Sequence, residues 1–324
     1  MNAKGYSRDD YRAAVRSLEA ANPVPIPGRP GERGSASHRS IRLAGVDNDR
    51  AAKLTWLSSL RDCIAPVRDK EIIQNAIIHG SYGDYTYTPF SDLEITLVLC
   101  DGAATDPRKL DELRRWRIRK LNPLLVRIDP LQHHGPFYVW PELLRGYDES
   151  ILPISCYQSA WALDPIDLEF TPYAPTDGDP SYPLLVTLTS LANIERNFFR
   201  FGMTPYSIKR LLSNLMLVPA FLSQSKSQMC TKKEAIDRAR ELGVRQITDV
   251  IDFSTQTRAS WPETPAWLGP LRSRFISSRI PSGRLDQYIL SLYRRPALQE
   301  STRRDLLPKI PGFCQEITRL YGRN

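Results

Sequence analysis

Two short motifs in the first third of the chain combine residue types that can bind phosphate groups and divalent metal ions. Gly80-Ser81 follows an apolar run, and Asp92-Leu93-Glu94 opens a second apolar run about ten residues later. A Gly-Ser turn after a strand exposes backbone N–H groups and adds a hydroxyl, and both suit phosphate oxygens. Asp92 and Glu94 are two residues apart, so on an extended strand both carboxylates leave the same face.

The paired carboxylates predict a Mg²⁺ site, because Mg²⁺ binds through one or two carboxylates together with substrate phosphates. Two such ions, about 3.5–4 Å apart, would stabilise the attacking oxygen and the leaving pyrophosphate of an in-line displacement. The alternative is a hairpin with a solvated polar edge, since Asp-x-Glu also arises from simple alternation. The order of strand, Gly-Ser, spacer and Asp-x-Glu favours the metal site.

The elements that must position these motifs are predicted from apolar spacing. Helical spacing covers residues 8–21, 47–67 and 109–120, whereas residues 70–78, 92–99 and 124–129 have strand character. The third strand ends at Asp129, just before Pro130, and a Pro- and Gly-rich segment at 22–37 interrupts regular structure. Alternating helices and strands predict an α/β or α+β core.

The composition changes after Asp164, where five prolines between residues 165 and 183 predict a domain boundary. Beyond it, helical spacing covers residues 184–201, 205–224, 232–242, 285–294 and 302–321. The predicted organisation is an N-terminal arm at 1–45, a catalytic domain at 46–170 and an all-helical domain at 180–324.

Gly80-Ser81, the spacer and Ser91-Asp92-Leu93-Glu94 resemble the signature of the DNA polymerase β-like nucleotidyltransferase superfamily. The preceding Pro89-Phe90 makes the motif similar to that of the kanamycin/aminoglycoside-type members. A weaker similarity continues through residues 134–137 and the helical C-terminal part. The resemblance implies an α+β fold with a mixed β-sheet flanked by helices. It also implies ATP or another NTP as donor, Mg²⁺, and nucleotidyl transfer to a hydroxyl.

The resemblance also implies roles for residues outside the motif. The superfamily usually supplies a third carboxylate, for which Asp129 is the candidate as metal ligand or general base, with a simple turn as the alternative. In the kanamycin-type enzymes the base comes from the first helix of the C-terminal domain, where Glu195 occupies the comparable place. Ser91 joins Gly80 and Ser81 as a nucleotide-binding candidate. Lys209 is a candidate for the triphosphate or the acceptor, with a solvated surface as the alternative.

His133 and His134 lie close in sequence to the expected active strand. Neighbouring residues of an extended segment point in different directions, so we do not expect both rings to chelate one metal ion. A hydrogen-bonding role toward the acceptor and a purely structural role remain as alternatives.

The bulk composition is that of a globular protein, with 324 residues, 41% apolar and 25% charged. No apolar run reaches the roughly 18 residues of a membrane span, and the first ten residues are too polar for a signal peptide, so a cytoplasmic location is expected. The five scattered cysteines, without metal or redox spacing, are expected to be reduced. The sequence leaves the oligomeric state open.

The acceptor is less constrained than the donor chemistry. The net charge is +8, and residues 271–324 alone hold 11 basic and 4 acidic residues, a net +7. Such a tail suits an RNA or tRNA end, with a solvated helix face as the alternative. The aminoglycoside-type relatives, in contrast, act on small molecules. The alternatives to an active enzyme of this kind are a catalytically silent nucleic-acid-binding module and a toxin-like nucleotidyltransferase of a toxin–antitoxin pair.

Overall fold

The computed structural model describes residues 8–24, 38–148, 152–171, 181–226, 228, 230–276 and 283–322. The chain divides into two compact units. The first contains residues 1–87, 91–178 and 269–281, and the second contains residues 88–90, 179–268 and 282–324. The segment 269–281, which the sequence places in the C-terminal domain, therefore belongs to the first unit.

The first unit is mixed α and β. Its strands are β1 (Arg39–Leu43), β2 (Ile73–His79), β3 (Glu94–Leu99), β4 (Phe137–Val139), β5 (Trp161–Ala162) and β6 (Ile166–Phe170). Its helices are α1 (Arg8–Ala20), α2 (Asn48–Ala51), α3 (Leu57–Arg68), α4 (Gly80–Gly83), α5 (Pro107–Trp116), α6 (Asn122–Ile128), α7 (Pro141–Leu144) and α8 (Ser155–Gln158). A π-helical stretch at Arg117–Leu121 joins α5 to α6.

Four strands form a small mixed sheet in the order β4-β3-β2-β5. β2 is antiparallel to both β3 and β5, whereas β3 and β4 are parallel. β1 and β6 form a separate antiparallel pair. Most side chains of β2 and β3 are buried, as expected for strands that are covered on both faces. The mixed sheet agrees with the expected α+β class.

The N-terminal helix belongs to the core of the first unit. Ala14 and Leu18 are buried on one face of α1, and the Tyr11 hydroxyl accepts a hydrogen bond of 3.0 Å from the backbone N–H of Tyr138. Of the rest of the predicted arm at 1–45, Arg39–Leu43 forms β1, and residues 1–7 and 25–37 lie outside the described residues.

The described residues of the second unit form helices and the loops that connect them. Its helices are α9 (Tyr182–Ala192), α10 (Ile194–Asn197), α11 (Pro205–Ser225), α12 (Lys232–Glu241), α13 (Arg245–Ala259), α15 (Gly283–Leu292), α16 (Pro296–Ser301) and α17 (Ile310–Tyr321), while α14 (Leu268–Ile276) lies almost wholly in the first unit. Thr204 and Ser207 form a capping box that begins α11. No helix in the described part of the chain is long and apolar enough to cross a membrane.

Several elements of the structure differ from the prediction. Residues 124–129 are not a strand, because Asn122–Ile128 forms α6, with Pro123 in its first turn where proline is favoured. Residues 47–67 form two helices, α2 and α3, instead of one. The helices α13 and α14 were not predicted.

Candidate active site

The two sequence motifs meet at one end of the β2–β3 pair. His79, the last residue of β2, is paired with Glu94, the first residue of β3. Gly80 and Ser81 begin α4 directly after His79, and Ser81 is partly exposed. Asp92 precedes β3 by two residues instead of lying within it. The antiparallel pairing therefore brings the Gly-Ser turn next to the Asp-x-Glu segment.

Gly80 lies directly against the carboxyl group of Glu94. Its φ is +64°, in the left-handed region that favours glycine. A Cβ atom at this position would overlap Glu94 Oε2 and would lie 3.1 Å from Glu94 Cδ. A residue with a side chain at position 80 would thus displace the Glu94 carboxylate.

His79, which the sequence analysis did not single out, lies beside the Glu94 carboxylate. The residue is 1% exposed, and its Nε2 lies 3.1 Å from Thr96 Oγ1. Burial lowers the pKa of His79 to about 4, so the ring is neutral near pH 7. Its Nδ1 lies 3.8 Å from Glu94 Oε2 and contacts the carboxylate as a neutral group. In the sequence, the only indication that His79 belongs to the site is its position directly before Gly80.

Asp92 contacts the histidine pair of the following loop. Its Oδ1 lies 3.2 Å from His133 Nδ1, and both side chains are more than 90% buried. The rings of His133 and His134 have centroids 4.0 Å apart. One ligand atom from each of the three residues lies within 4.8 Å of the others, so a small movement of the side chains could place all three on one metal ion.

The expectation that the two histidines point apart is therefore wrong. It assumed an extended segment, whereas residues 129–136 form an irregular loop in which side chains do not alternate. Among the described residues, this is the one cluster of three or more His, Cys, Asp or Glu side chains with metal-ligand spacing. Glu94 and Asp129 are not part of it.

Gln132 ties the histidine loop to the Asp92 segment. Its side-chain oxygen accepts a hydrogen bond of 3.2 Å from the backbone N–H of Leu93. Its Nε2 donates to the carbonyl oxygens of Leu93, at 3.1 Å, and His134, at 2.9 Å. The Gln132 side chain is 6% exposed and its amide makes all three of these hydrogen bonds. It therefore joins the loop to the Leu93 backbone as a neighbouring strand would. Its place next to His133 was the only sequence signal.

Asp129 caps the end of α6 and begins a turn. Its Oδ1 accepts a hydrogen bond of 3.0 Å from the backbone N–H of Leu131, and the residue is 6% exposed. Burial raises the pKa of Tyr82 to about 12, and the carboxylates of Asp129 and Asp92 act in the same direction. Tyr82 therefore lies within electrostatic reach of both carboxylates.

A distant segment secures the same loop. The guanidinium of Arg272, on α14, donates a hydrogen bond of 2.6 Å to the carbonyl oxygen of Pro130. Arg272 is 2% exposed, and Gly269 lies close against the backbone of α6, where a Cβ would be 3.1 Å from the Val126 carbonyl oxygen. No local pattern links Arg272 to residue 130, which is 142 positions away.

The remaining predicted residues have simpler surroundings. Ser91 is buried, and Glu195 is exposed on the short helix α10 of the second unit. Lys209 does not lie on a solvated surface, because it is 0% exposed within α11. Its ammonium group lies 5.6 Å from the ring centroid of Phe90, which also contacts Arg258 and the edge of Trp261. All five cysteines are free, as expected.

Comparisons with known proteins assign no family to this chain. No family model, curated protein or solved structure matches it. A functional assignment therefore rests on the residues and geometry described above.

Proposed function

We propose that the protein is a metal-dependent nucleotidyltransferase that transfers an NMP group from an NTP, such as ATP, to a hydroxyl of an acceptor. The observation that carries the proposal is the juxtaposition of Gly80 with Glu94 across the β2–β3 pair, with Asp92 two residues away. A turn suited to phosphate is thus next to carboxylates suited to a metal ion.

The residues at this position fit the expected ligands. The backbone N–H groups of the turn and the Ser81 hydroxyl would bind phosphate oxygens of the NTP. Asp92 and Glu94 would hold Mg²⁺, which prefers oxygen ligands and commonly shares them with phosphates. When bound, the ion would offset the charge that develops on the phosphate oxygens. The neutral ring of His79 supports the position of the Glu94 carboxylate without neutralising it.

In the proposed reaction, an acceptor hydroxyl oxygen forms a bond to the α-phosphorus of the NTP. The bond from that phosphorus to the bridging oxygen breaks, and pyrophosphate leaves with the electron pair. The hydroxyl proton passes to a carboxylate, for which Asp129 and Glu195 are the candidates. Both are carried over as candidates from the resemblance to the polymerase β-like superfamily.

The acceptor is a hydroxyl-bearing small molecule or an RNA end. The basic C-terminal region contains several surface ion pairs, which weaken its field toward a polyanion. These are Arg303–Glu300, Arg304–Asp305, Lys309–Asp249 and Arg319–Glu316. This pairing supports including small aminoglycoside-like acceptors beside RNA in the assay.

The test uses α-labelled NTPs with Mg²⁺ or Mn²⁺, total RNA and a panel of aminoglycosides. We expect the label on an acceptor and release of unlabelled pyrophosphate. Asp92→Asn and Glu94→Gln should each lower the rate by at least about 100-fold, while Asp101→Asn, an exposed carboxylate of the same unit, should not. RNA binding without transfer would instead identify a silent binding module, and full activity of Asp92→Asn would refute the site.

A further inference from the structure

We propose that Asp92, His133 and His134 bind one first-row transition-metal ion of the Zn²⁺ class. Their ligand atoms all lie within 4.8 Å of one another, and Asp92 Oδ1 is 3.2 Å from His133 Nδ1. Zinc binds histidine nitrogen and carboxylate oxygen at about 2.0–2.2 Å, so two of its ligand atoms lie at most about 4.4 Å apart, and a small movement of the side chains brings all three onto one ion. The ligand assignment rests on this geometry, and its role in catalysis rests on the proposed function.

The donor set selects against Mg²⁺ at this position. Mg²⁺ takes oxygen ligands and retains several waters, whereas imidazole nitrogen suits zinc, copper, iron and nickel. A cluster of two imidazoles and one carboxylate therefore favours a transition-metal ion. Glu94 is outside the cluster and remains a pure oxygen donor next to Gly80. We infer that Asp92 adjoins two chemically different metal positions.

The cluster is held in place by the residues around it. Gln132 bonds both to the backbone of Leu93, next to Asp92, and to the carbonyl of His134. Arg272 fixes the start of the same loop at Pro130. Metal ligands are commonly oriented by such surrounding hydrogen bonds, which reduce the cost of assembling the site. These hydrogen bonds therefore hold the segment of Asp92 and the loop of His133 in place before a metal ion binds.

Three protein ligands leave at least one coordination position for a water molecule or a substrate oxygen. This is the arrangement of catalytic zinc sites, whereas structural zinc sites use four protein ligands. The side chains of Asp92 and His133 are more than 90% buried, so an ion bound there would be largely shielded from bulk water. The fourth ligand we infer is a phosphate oxygen of the NTP.

The test is titration of the full-length, chelator-treated protein with Co²⁺, followed by competition with Zn²⁺ and Mg²⁺. We expect one equivalent of Co²⁺ to give visible d–d absorption that Zn²⁺ removes at stoichiometric amounts and that millimolar Mg²⁺ does not. His133→Ala, His134→Ala and Asp92→Asn should each weaken binding by at least about 100-fold, with circular dichroism confirming the fold. The matched control is His38→Ala, because His38 is exposed and outside the cluster.

Several outcomes would overturn the inference. They are absence of Co²⁺ binding, unchanged affinity in His134→Ala, and a thiolate-to-cobalt charge-transfer band, which would place the ion on a cysteine. Failure of the proposed function has a different result. Transfer with Mg²⁺ in a protein that binds no Co²⁺ would refute the metal assignment alone, and Co²⁺ binding without any transfer would refute only the nucleotidyltransferase proposal.

Discussion

Gly80 shows how a single missing side chain can serve a function. Gly80→Ala should cost about 1–2 kcal/mol of stability from its positive φ and should also displace the Glu94 carboxylate. Because the displaced carboxylate is a proposed metal ligand, we also expect the transfer rate to fall by at least about 10-fold. Nucleotidyl-transfer kinetics and urea unfolding would separate the two effects.

The matched control is Gly102→Ala. Gly102 has a similar φ of +68°, but in the described part of the chain no atom beyond its two chain neighbours lies within 4 Å of the position that a Cβ would occupy there. This variant should lose about the same stability as Gly80→Ala and keep its activity. Equal activity in the two variants would show that the contact between Gly80 and Glu94 is irrelevant to transfer.

Asp129 can be tested with a substitution that keeps its hydrogen bond. In Asp129→Asn the side-chain oxygen still accepts from the Leu131 N–H, so the turn should stay and stability should change by less than about 1 kcal/mol. If Asp129, one of the two proposed candidates, is the base, kcat should fall by at least about 100-fold. Wild-type kcat in this variant, together with a low kcat in Glu195→Gln, would assign the base to Glu195.

At the level of residues, the sequence predicts the neighbours that secondary structure brings together. Gly80 and Glu94 meet because consecutive apolar strands with a short connection pair antiparallel. The contact between Asp92 and His133 depends on an irregular loop, so alternation gave the wrong orientation for the histidines. The role of Arg272 depends on a partner 142 residues away, which no local pattern encodes.

At the level of elements, the length of an apolar run decides whether its secondary structure can be predicted. The boundaries of β2 and β3 were predicted to within three residues, since their apolar runs are bordered by turns. The run Leu124-Leu125-Val126 has the same composition but lies in α6, because a buried helical segment this short has no measurable period. The sequence feature that indicates a helix here is Asn122-Pro123, because proline is favoured in the first turn of a helix.

The loop of residues 129–136 and the start of β3 are connected as elements through Gln132. Gln132→Leu should leave the Leu93 backbone groups and the His134 carbonyl without their partner and cost about 1–3 kcal/mol. Because the two histidines would then no longer be held next to Asp92, the Co²⁺ affinity and the transfer rate should fall as well. Urea unfolding and metal titration measure the two effects.

Asn75→Leu is the control for this substitution. Asn75 is also a buried amide of the first unit, and its Nδ2 donates a hydrogen bond of 2.7 Å to the Asp164 carbonyl. A similar loss of stability with wild-type Co²⁺ affinity is expected. If both variants weaken metal binding equally, the Gln132 contacts have no specific role in the site.

At the level of the whole molecule, apolar spacing and composition predicted a mixed α and β region followed by helices, but they did not predict the chain path. The alternation of helical and strand spacing before Asp164, and the helical spacing after it, were sufficient for this prediction. The return of residues 269–281 to the first unit was not predicted. The sequence of α14 has no feature that identifies its partner, and the buried Arg272 looks like a surface residue in sequence.

The contact between Arg272 and Pro130 should contribute measurably to the stability of the first unit. Arg272→Met should cost about 2 kcal/mol or more, because the Pro130 carbonyl loses a hydrogen bond from a charged donor. Hydrogen exchange should accelerate in peptides that cover residues 122–140. Arg319→Ala, which breaks an exposed pair with Glu316, should cost less than about 1 kcal/mol and leave these peptides unchanged. Unchanged exchange in Arg272→Met would contradict the contact.

The discontinuity of the first unit has a consequence for protein synthesis. Residues 1–178 leave the ribosome about 100 residues before the segment 269–281 is complete. At translation rates of roughly 5–20 residues per second, this interval is about 5–20 s. During that time the nascent first unit lacks the arginine that fixes Pro130, so the histidine loop can reach its final geometry only after most of the second unit has been translated.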